Sequence, residues 1–189
     1  MKSKSNKQDK KNSKWNEYKW ALQLALLAFA ISVTFSFVSE VALKKTSLLV
    51  STIIVLLFIL IGVLFDMVGM AVATAEEAPF HSMSARKIKP AKVAVMLKRN
   101  AGKVSSFCND VIGDICGIVS GSAGVVIATS VSTMWNVSLL LSSLITTGVI
   151  AALTIGGKAF EKTIAMEKSN EILYQFSKVL SIFYVGKKG

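Results

Sequence analysis

The sequence is poor in the residues that build disulfide frameworks, zinc sites and catalytic pairs. Among its 189 residues there are two cysteines and one histidine. Cys108 and Cys116 are eight positions apart in one apolar segment, so they share roughly one helix face and cannot bridge each other. His81 forms no recognisable catalytic pattern with a serine, a cysteine or a second histidine. We therefore expect neither an enzyme nor a resident cofactor.

Proline is absent from four long segments, and charge is rare in them. The segments cover about residues 20–43, 46–75, 107–132 and 136–157. Each reaches the roughly 20 residues that a helix needs to span about 30 Å of hydrocarbon. A soluble domain would have to cover four such helices on all sides, and too little chain is left for that. The sequence predicts an all-α integral membrane protein, with a transmembrane bundle of four helices over residues 20–157.

Acidic residues are outnumbered two to one: 11 Asp and Glu stand against 22 Lys and Arg, which gives a formal net charge of +11. Seven of these cations precede the first segment, two follow it, seven lie in the second connection, none in the third and six in the tail. This alternation is typical of a protein with both termini in the cytoplasm. The charge therefore favours a lipid bilayer of the cell (plasma) membrane as partner over nucleic acid.

Three polar stretches lie outside the apolar segments. Residues 1–19 have almost nothing to bury, which predicts a disordered basic cytoplasmic arm. The juxtamembrane segment 79–103 contains a predicted amphipathic helix over 90–100, with Pro90 in its first turn, that we expect to lie on the inner leaflet. Residues 158–189 repeat apolar positions at helical spacing, which predicts a second amphipathic cytoplasmic helix followed by the tail.

The few acids near the apolar segments are candidate ligands for a hard divalent cation such as Mg²⁺, which takes oxygen ligands. Asp110 and Asp114 stack on one helix face, since they are four residues apart. Asp66 lies either at the cytoplasmic interface or within the bilayer, and the sequence leaves both placements open. The alternative to a cation site is that Asp110 and Asp114, too, are solvated acids at the end of a helix. The candidate metal residues are Asp66, Glu76, Glu77, Asn109, Asp110 and Asp114.

A ridge of small residues runs along the third segment. Gly113, Gly117 and Gly121 recur every four positions, so another helix can approach closely at this face. That helix belongs either to the same chain or to a second copy, and we expect a homodimer.

Three local motifs, taken in order, resemble the transmembrane domain of the CNNM/CorC (cyclin-M-like, CorB-type) magnesium transporters. The family's Ser-x-Ser-Glu-x-Ala motif corresponds to ATAEEA at 73–78. Its Asn-Pro and Ile-Gly-Asn correspond to NA at 100–101 and IGD at 112–114. Its closing Gly-Glu-x-x-Pro-Lys-Thr-x-Ala corresponds to GKAFEKTIA at 157–165. The resemblance covers about residues 48–184 and implies divalent cation transport or homeostasis.

Departures from the family pattern support a second hypothesis. Polar residues that hold the dehydrated cation in that family are replaced by Ala73, Ala75 and Lys158. We also expect this chain to act without the family's cytosolic CBS pair. The alternative is therefore a non-transporting membrane scaffold or regulatory subunit that keeps the fold with a degenerate ion site.

Overall fold

The computed structural model describes residues 2–43 and 47–185, and every regular element in that part of the chain is helical. Helices α5 and α6 are joined by a seven-residue π-helical segment, and the three form one continuous helix. The elements in chain order are α1 (Lys2–Leu43), α2 (Leu48–Thr74), α3 (Ala78–Ala85), α4 (Lys89–Arg99), α5 (Ala101–Ser106), the π segment (Phe107–Gly113), α6 (Asp114–Trp135), α7 (Leu139–Glu167) and α8 (Ser169–Val185).

Four of these helical stretches are long and apolar enough to cross a membrane. They are Tyr18–Phe37 within α1, Leu48–Thr74, Ala101–Trp135 and Leu139–Glu167. The shortest has 20 residues, which at a rise of 1.5 Å per residue covers about 30 Å. The prediction of an all-α chain with four such helices is confirmed for the described residues.

Helix α2 lies at the centre of the bundle. In its first half, Val55 and Ile59 pack against Ala123 and Ile127 of α6. In its second half, Gly69 meets residues of the π segment, which precedes α6 in the chain, so α2 and this helix run antiparallel. The packing is tight because small residues let the helix axes approach.

Helices α6 and α7 form an antiparallel pair joined by a short turn. Asn136 ends α6 in the left-handed conformation (φ 52°), which asparagine tolerates better than most residues. Ser138 caps the next helix by accepting a hydrogen bond from the Leu141 amide. The buried Ser142 hydroxyl donates to the Ala128 carbonyl at 2.8 Å, which ties the two helices together near the turn.

The first apolar helix packs along one side of the bundle. Leu24, Ala28 and Ile31 of α1 pack against a buried group on the π segment and α6 that comprises Val111, Ile115 and Val119. Much of the remaining apolar surface of α1 stays exposed, including Leu22, Leu26 and Phe29.

Helices α3, α4 and α8 form a layer across the end of α2, which we call the end layer. The sequence of α4 does put its apolar side chains on one face, as predicted, with proline in the first turn. That face does not lie free for lipid, because Val93, Ala94 and Leu97 pack with Leu173 of α8 and Phe80 of α3. The amphipathic helix therefore covers the bundle and is itself covered by α8.

Two boundaries differ from those predicted. Residues 2–19 are helical and continuous with the apolar part of α1, where the sequence predicts disorder. Once the apolar part has nucleated a helix, each further residue needs no new nucleus, and lysine and glutamine are good helix formers. At the other end, α7 runs through Gly156 and Gly157 to Glu167, since no described glycine has positive φ and both glycines stay helical. Helix α7 therefore continues past the predicted boundary at 157/158 and ends at Glu167.

Candidate functional site

A polar contact between α2 and α7 interrupts the apolar packing of the bundle. The carboxylate of Asp66 lies 3.5 Å from the Lys158 ammonium (Oδ2 to Nζ). The Asp66 side chain is 16% exposed and that of Lys158 31% exposed, so the pair is mostly screened from solvent. A charge this far from water is costly alone, and pairing offsets part of that cost. Asp66, one of the predicted ligands, is thus bound to a cation that belongs to the chain itself.

Glycines on three elements allow this contact. A Cβ on Gly62 would lie 3.0 Å from Cys116 Cβ, and one on Gly157 would lie 2.9 Å from the Val63 methyl Cγ2. The ammonium of Lys158 reaches the π segment, since a Cβ on Gly113 would lie 3.4 Å from Nζ. The helices that carry Asp66 and Lys158 are held close to the π segment because these positions have no side chain.

Glu161 lies one turn beyond Lys158 on the same side of α7 and is only 5% exposed. It interacts electrostatically with both Asp66 and Lys158, and we call these three residues the polar cluster. Among the described residues its Oε2 atom has no hydrogen-bond partner. A buried carboxylate oxygen without a donor is costly. The cluster therefore holds two carboxylates for one ammonium.

Asn109, another predicted ligand, lies on the π segment against α2. Its Oδ1 atom sits over Gly69, so a Cβ added to that glycine would overlap it. In the part of the chain that the structure describes, this buried oxygen also lacks a hydrogen-bond donor. Gly69 follows Asp66 by three residues, which places Asn109 about one helical turn along α2 from the polar cluster. Single π turns inside α-helices occur often at functional sites.

Asp110 and Asp114 lie on a different side of the same helix. Both are exposed and line a groove of about 390 Å³ between α1 and α6 together with apolar residues such as Phe29 and Ile118. Gly113, between them in sequence, faces α2 and α7 instead. The two acids thus share a face, as predicted, but that face is turned to α1 and not to Asp66.

Glu76 and Glu77 lie beyond the C-terminus of α2, at the edge of the end layer. The Glu76 amide donates to Asn170 Oδ1 at 2.9 Å, and its own side chain is exposed. The Glu77 carboxylate lies 2.8 Å from Nε2 of His81, one turn along the short helix α3. This accounts for the lone histidine as one half of an exposed surface pair.

The end of α2 carries a cationic cap that sequence reasoning missed. Lys98 of α4 donates from Nζ to the Val72 carbonyl at 3.2 Å and to the Ala73 carbonyl at 2.8 Å. The last carbonyls of a helix carry partial negative charge and have no partner within the helix. Lys98 therefore joins the end layer to the bundle just past the polar cluster.

The structure thus distributes the six predicted metal residues over three places. Asp66 and Asn109 lie where α2 contacts α7 and the π segment, and we call this contact region the seam. Asp110 and Asp114 line the outer groove, and Glu76 and Glu77 lie at the end layer. No group of three or more histidine, cysteine, aspartate or glutamate side chains that could hold a metal ion comes together among the residues whose side chains the structure describes. The polar cluster, in contrast, includes Lys158 and Glu161, which were not predicted ligands. Their spacing of three residues, which puts them on one helix face, was the available signal.

No protein-family model matches this chain. No curated protein matches it with significant similarity either.

Proposed function

We propose that this chain is a multi-pass membrane protein that handles a divalent cation, with Mg²⁺ as the expected ion, in the manner of the CNNM/CorC transporters that its sequence resembles. The observation that supports this most is the polar cluster, in which Asp66 and the buried Glu161 lie between otherwise apolar helices. Acids inside an apolar bundle are costly, and they typically mark ion pathways. Carboxylate and amide oxygens are the ligands that Mg²⁺ accepts, often with several waters retained.

Membrane insertion is supported by the exposed surface of the long helices. Leu140, Leu144 and Ile155 of α7 are each more than half exposed, and α2 presents Leu49, Leu57 and Leu60 in the same way. Apolar surface on this scale is not left to water in a soluble monomer. The distribution of lysine and arginine puts both termini and the end layer on the cytoplasmic side of the plasma membrane. The positive charge then faces anionic lipid heads, and no nucleic-acid partner is proposed.

Each group of predicted residues has a role in this proposal. Asp66 and Asn109 bind the cation within the seam around α2. Asp110 and Asp114 in the outer groove raise the local cation concentration by their charge. Glu76 and Glu77 do the same at the cytoplasmic end of α2. The ion moves when α7 shifts against α2, which opens the seam to one side of the membrane at a time.

The chain is proposed to act as a homodimer and not as an enzyme. Within the small-residue ridge, Gly113 packs against other helices of the same chain. A Cβ on Gly117 or Gly121, in contrast, would meet nothing within 4 Å. An open small-residue face is what a second helix needs for close approach. The pair of His81 and Glu77 is exposed at the surface and is not assigned a catalytic role.

Mg²⁺ uptake into proteoliposomes tests the transport proposal. We expect the purified chain to carry Mg²⁺ faster than protein-free vesicles, because the seam supplies oxygen ligands across the apolar bundle. Asp66→Asn should remove most of this uptake. Asp110→Asn combined with Asp114→Asn should lower the rate only in part, since these acids lie outside the seam. If Asp66→Asn takes up Mg²⁺ as fast as the unaltered chain, the proposed site is refuted.

A second candidate function is a scaffold or regulatory subunit for another membrane protein. The observation that favours it is the contact of Lys158 with Asp66, because a tethered cation occupies the place that a transported ion needs. Co-purification discriminates between the two. An isolated homodimer that carries Mg²⁺ argues against the scaffold, whereas a stable complex with another membrane protein and no uptake supports it.

A further inference from the structure

Lys158 occupies the polar cluster in the manner of a bound cation. Its ammonium lies 3.5 Å from the Asp66 carboxylate and borders Gly113 of the π segment. Yet the side chain is 31% exposed, so part of it reaches the protein surface. Lysine has a flexible four-carbon stem that can lie along apolar surface while its charge moves to water. The ammonium can therefore also lie at the protein surface, in contact with water.

The polar cluster has two carboxyl groups and one ammonium, so Lys158 can fully pair with only one of the two acids. With both carboxylates ionised, Asp66 and Glu161 contribute two negative charges and Lys158 one positive charge, which leaves one negative charge inside the bundle. Glu161 is 95% buried, since its exposed fraction is 5%, and its Oε2 has no donor among the described residues. When the ammonium leaves, the site has two negative charges, which a divalent cation balances.

The geometry points to competition between two cations for the same carboxylates. We propose that Lys158 is a built-in competitor, whose ammonium holds Asp66 and Glu161 until a divalent cation displaces it toward the protein surface. Asn109 Oδ1, which also lacks a donor, lies about one turn further along α2 and can accept the ion or its waters. This inference rests on the proposed function, since it names how the same seam is regulated.

Equilibrium binding of Mn²⁺ tests the competition directly. Mn²⁺ is suited to the same oxygen ligands, and the electron paramagnetic resonance signal of the free ion reports its concentration. The full chain in detergent is compared with the variants Lys158→Gln, Lys158→Arg and Lys162→Gln. Lys162→Gln is the matched control, because it removes one charge that acts on Glu161 from an exposed position one turn further along α7 and leaves the ammonium beside Asp66 in place.

We expect Lys158→Gln to bind Mn²⁺ about tenfold or more tightly than the unaltered chain, within the usual range for coupled sites. Lys158→Arg keeps the tethered charge and should bind as weakly as the unaltered chain. Lys162→Gln should do the same. Adding Glu161→Gln to Lys158→Gln should abolish the gain. Equal affinity of Lys158→Gln and Lys162→Gln would overturn the proposal.

Loss of the ammonium also leaves two carboxylates unpaired, so Lys158→Gln is expected to fold less well without metal. Thermal unfolding with and without Mn²⁺ then provides the second readout. Stabilisation of Lys158→Gln by Mn²⁺, with no such effect on Lys162→Gln, supports the competition. A Lys158→Gln variant that cannot be purified even with Mn²⁺ present would overturn it, because the carboxylates would then need the ammonium itself.

The two proposals fail in different ways. If the unaltered chain carries no Mg²⁺ but Lys158→Gln gains Mn²⁺ affinity, the competition stands and the transport proposal falls. If the unaltered chain transports and Lys158→Gln binds Mn²⁺ like its control, transport stands and the competition falls.

Discussion

Substitution of Gly69 by alanine tests the close approach of α2 to the π segment. A Cβ at this position would overlap Asn109 Oδ1, and it would lie 2.7 Å from Asn109 Cγ and 3.0 Å from Cys108 Cβ. Rotation of the amide alone does not remove these contacts, because the Cys108 Cβ is fixed to the backbone. The helices must therefore separate at this point or the π segment must shift.

The magnitude follows from two opposing effects. Forcing an extra methyl group into a packed interior typically costs about 1–3 kcal/mol. Alanine is favoured over glycine inside a helix by about 1 kcal/mol. The Gly69→Ala variant should therefore lose about 0–2 kcal/mol of stability in total.

Gly148→Ala, inside α7, is the matched control, since a Cβ there would meet nothing within 4 Å. This variant keeps only the gain in helix propensity, so it should be as stable as the unaltered chain or more stable. The two variants should differ by about 1–3 kcal/mol, the cost of the added methyl group. Thermal unfolding followed by circular dichroism in detergent measures the difference. Equal midpoints for Gly69→Ala and Gly148→Ala would refute the close approach at Asn109.

Two further predictions concern the end layer. Leu173→Ala should destabilise the chain by about 2–5 kcal/mol and make α8 more sensitive to protease, because Leu173 is fully buried against α3 and α4. The control Val179→Ala should have little effect, since this position on the same helix is 54% exposed. Equal protease sensitivity of the two variants would contradict this packing. Lys98→Met should lower the free energy of unfolding by about 1 kcal/mol, because two carbonyls at the end of α2 lose their donor. Lys92→Met, at an exposed position, is the control. Identical unfolding midpoints for the two variants would argue against the cap.

Much of the fold follows from patterns that the sequence displays openly. The four long helices are predicted because uninterrupted apolar segments have few alternatives in length or environment. Helix α4 is predicted from Pro90 and the spacing of its apolar residues, and the structure has it at Lys89–Arg99. These signals are local, so a single segment is enough to read them.

The arrangement of the candidate site could not be predicted in the same way. The long helices are apolar nearly all round, so their sequence does not indicate which face meets which neighbour. Asp66 could therefore be recognised as unusual, but its pairing with Lys158 could not. The spacing of Asp110 and Asp114 predicts that they share a face, but not which neighbour that face meets: it is turned to α1, whereas Gly113 faces α2 and α7.

Lys158, a member of the polar cluster, lies just beyond the predicted end of the fourth apolar segment. The fourth predicted apolar segment ends at Gly157, directly after Gly156. Here both glycines remain helical, and Gly157 instead allows close packing against Val63. Lys158 and Glu161 consequently lie on the same continuous helix as the fourth apolar segment, with Lys158 next to Asp66 of α2.

We propose that the seam around Asp66 admits a divalent cation into the apolar bundle. The initial rate of Mg²⁺ entry into proteoliposomes, measured with a trapped fluorescent indicator over a range of external Mg²⁺, tests it most directly. We expect a rate that exceeds that of protein-free vesicles, saturates with Mg²⁺ and is mostly lost in Asp66→Asn. A rate equal to that of protein-free vesicles at every concentration would contradict it.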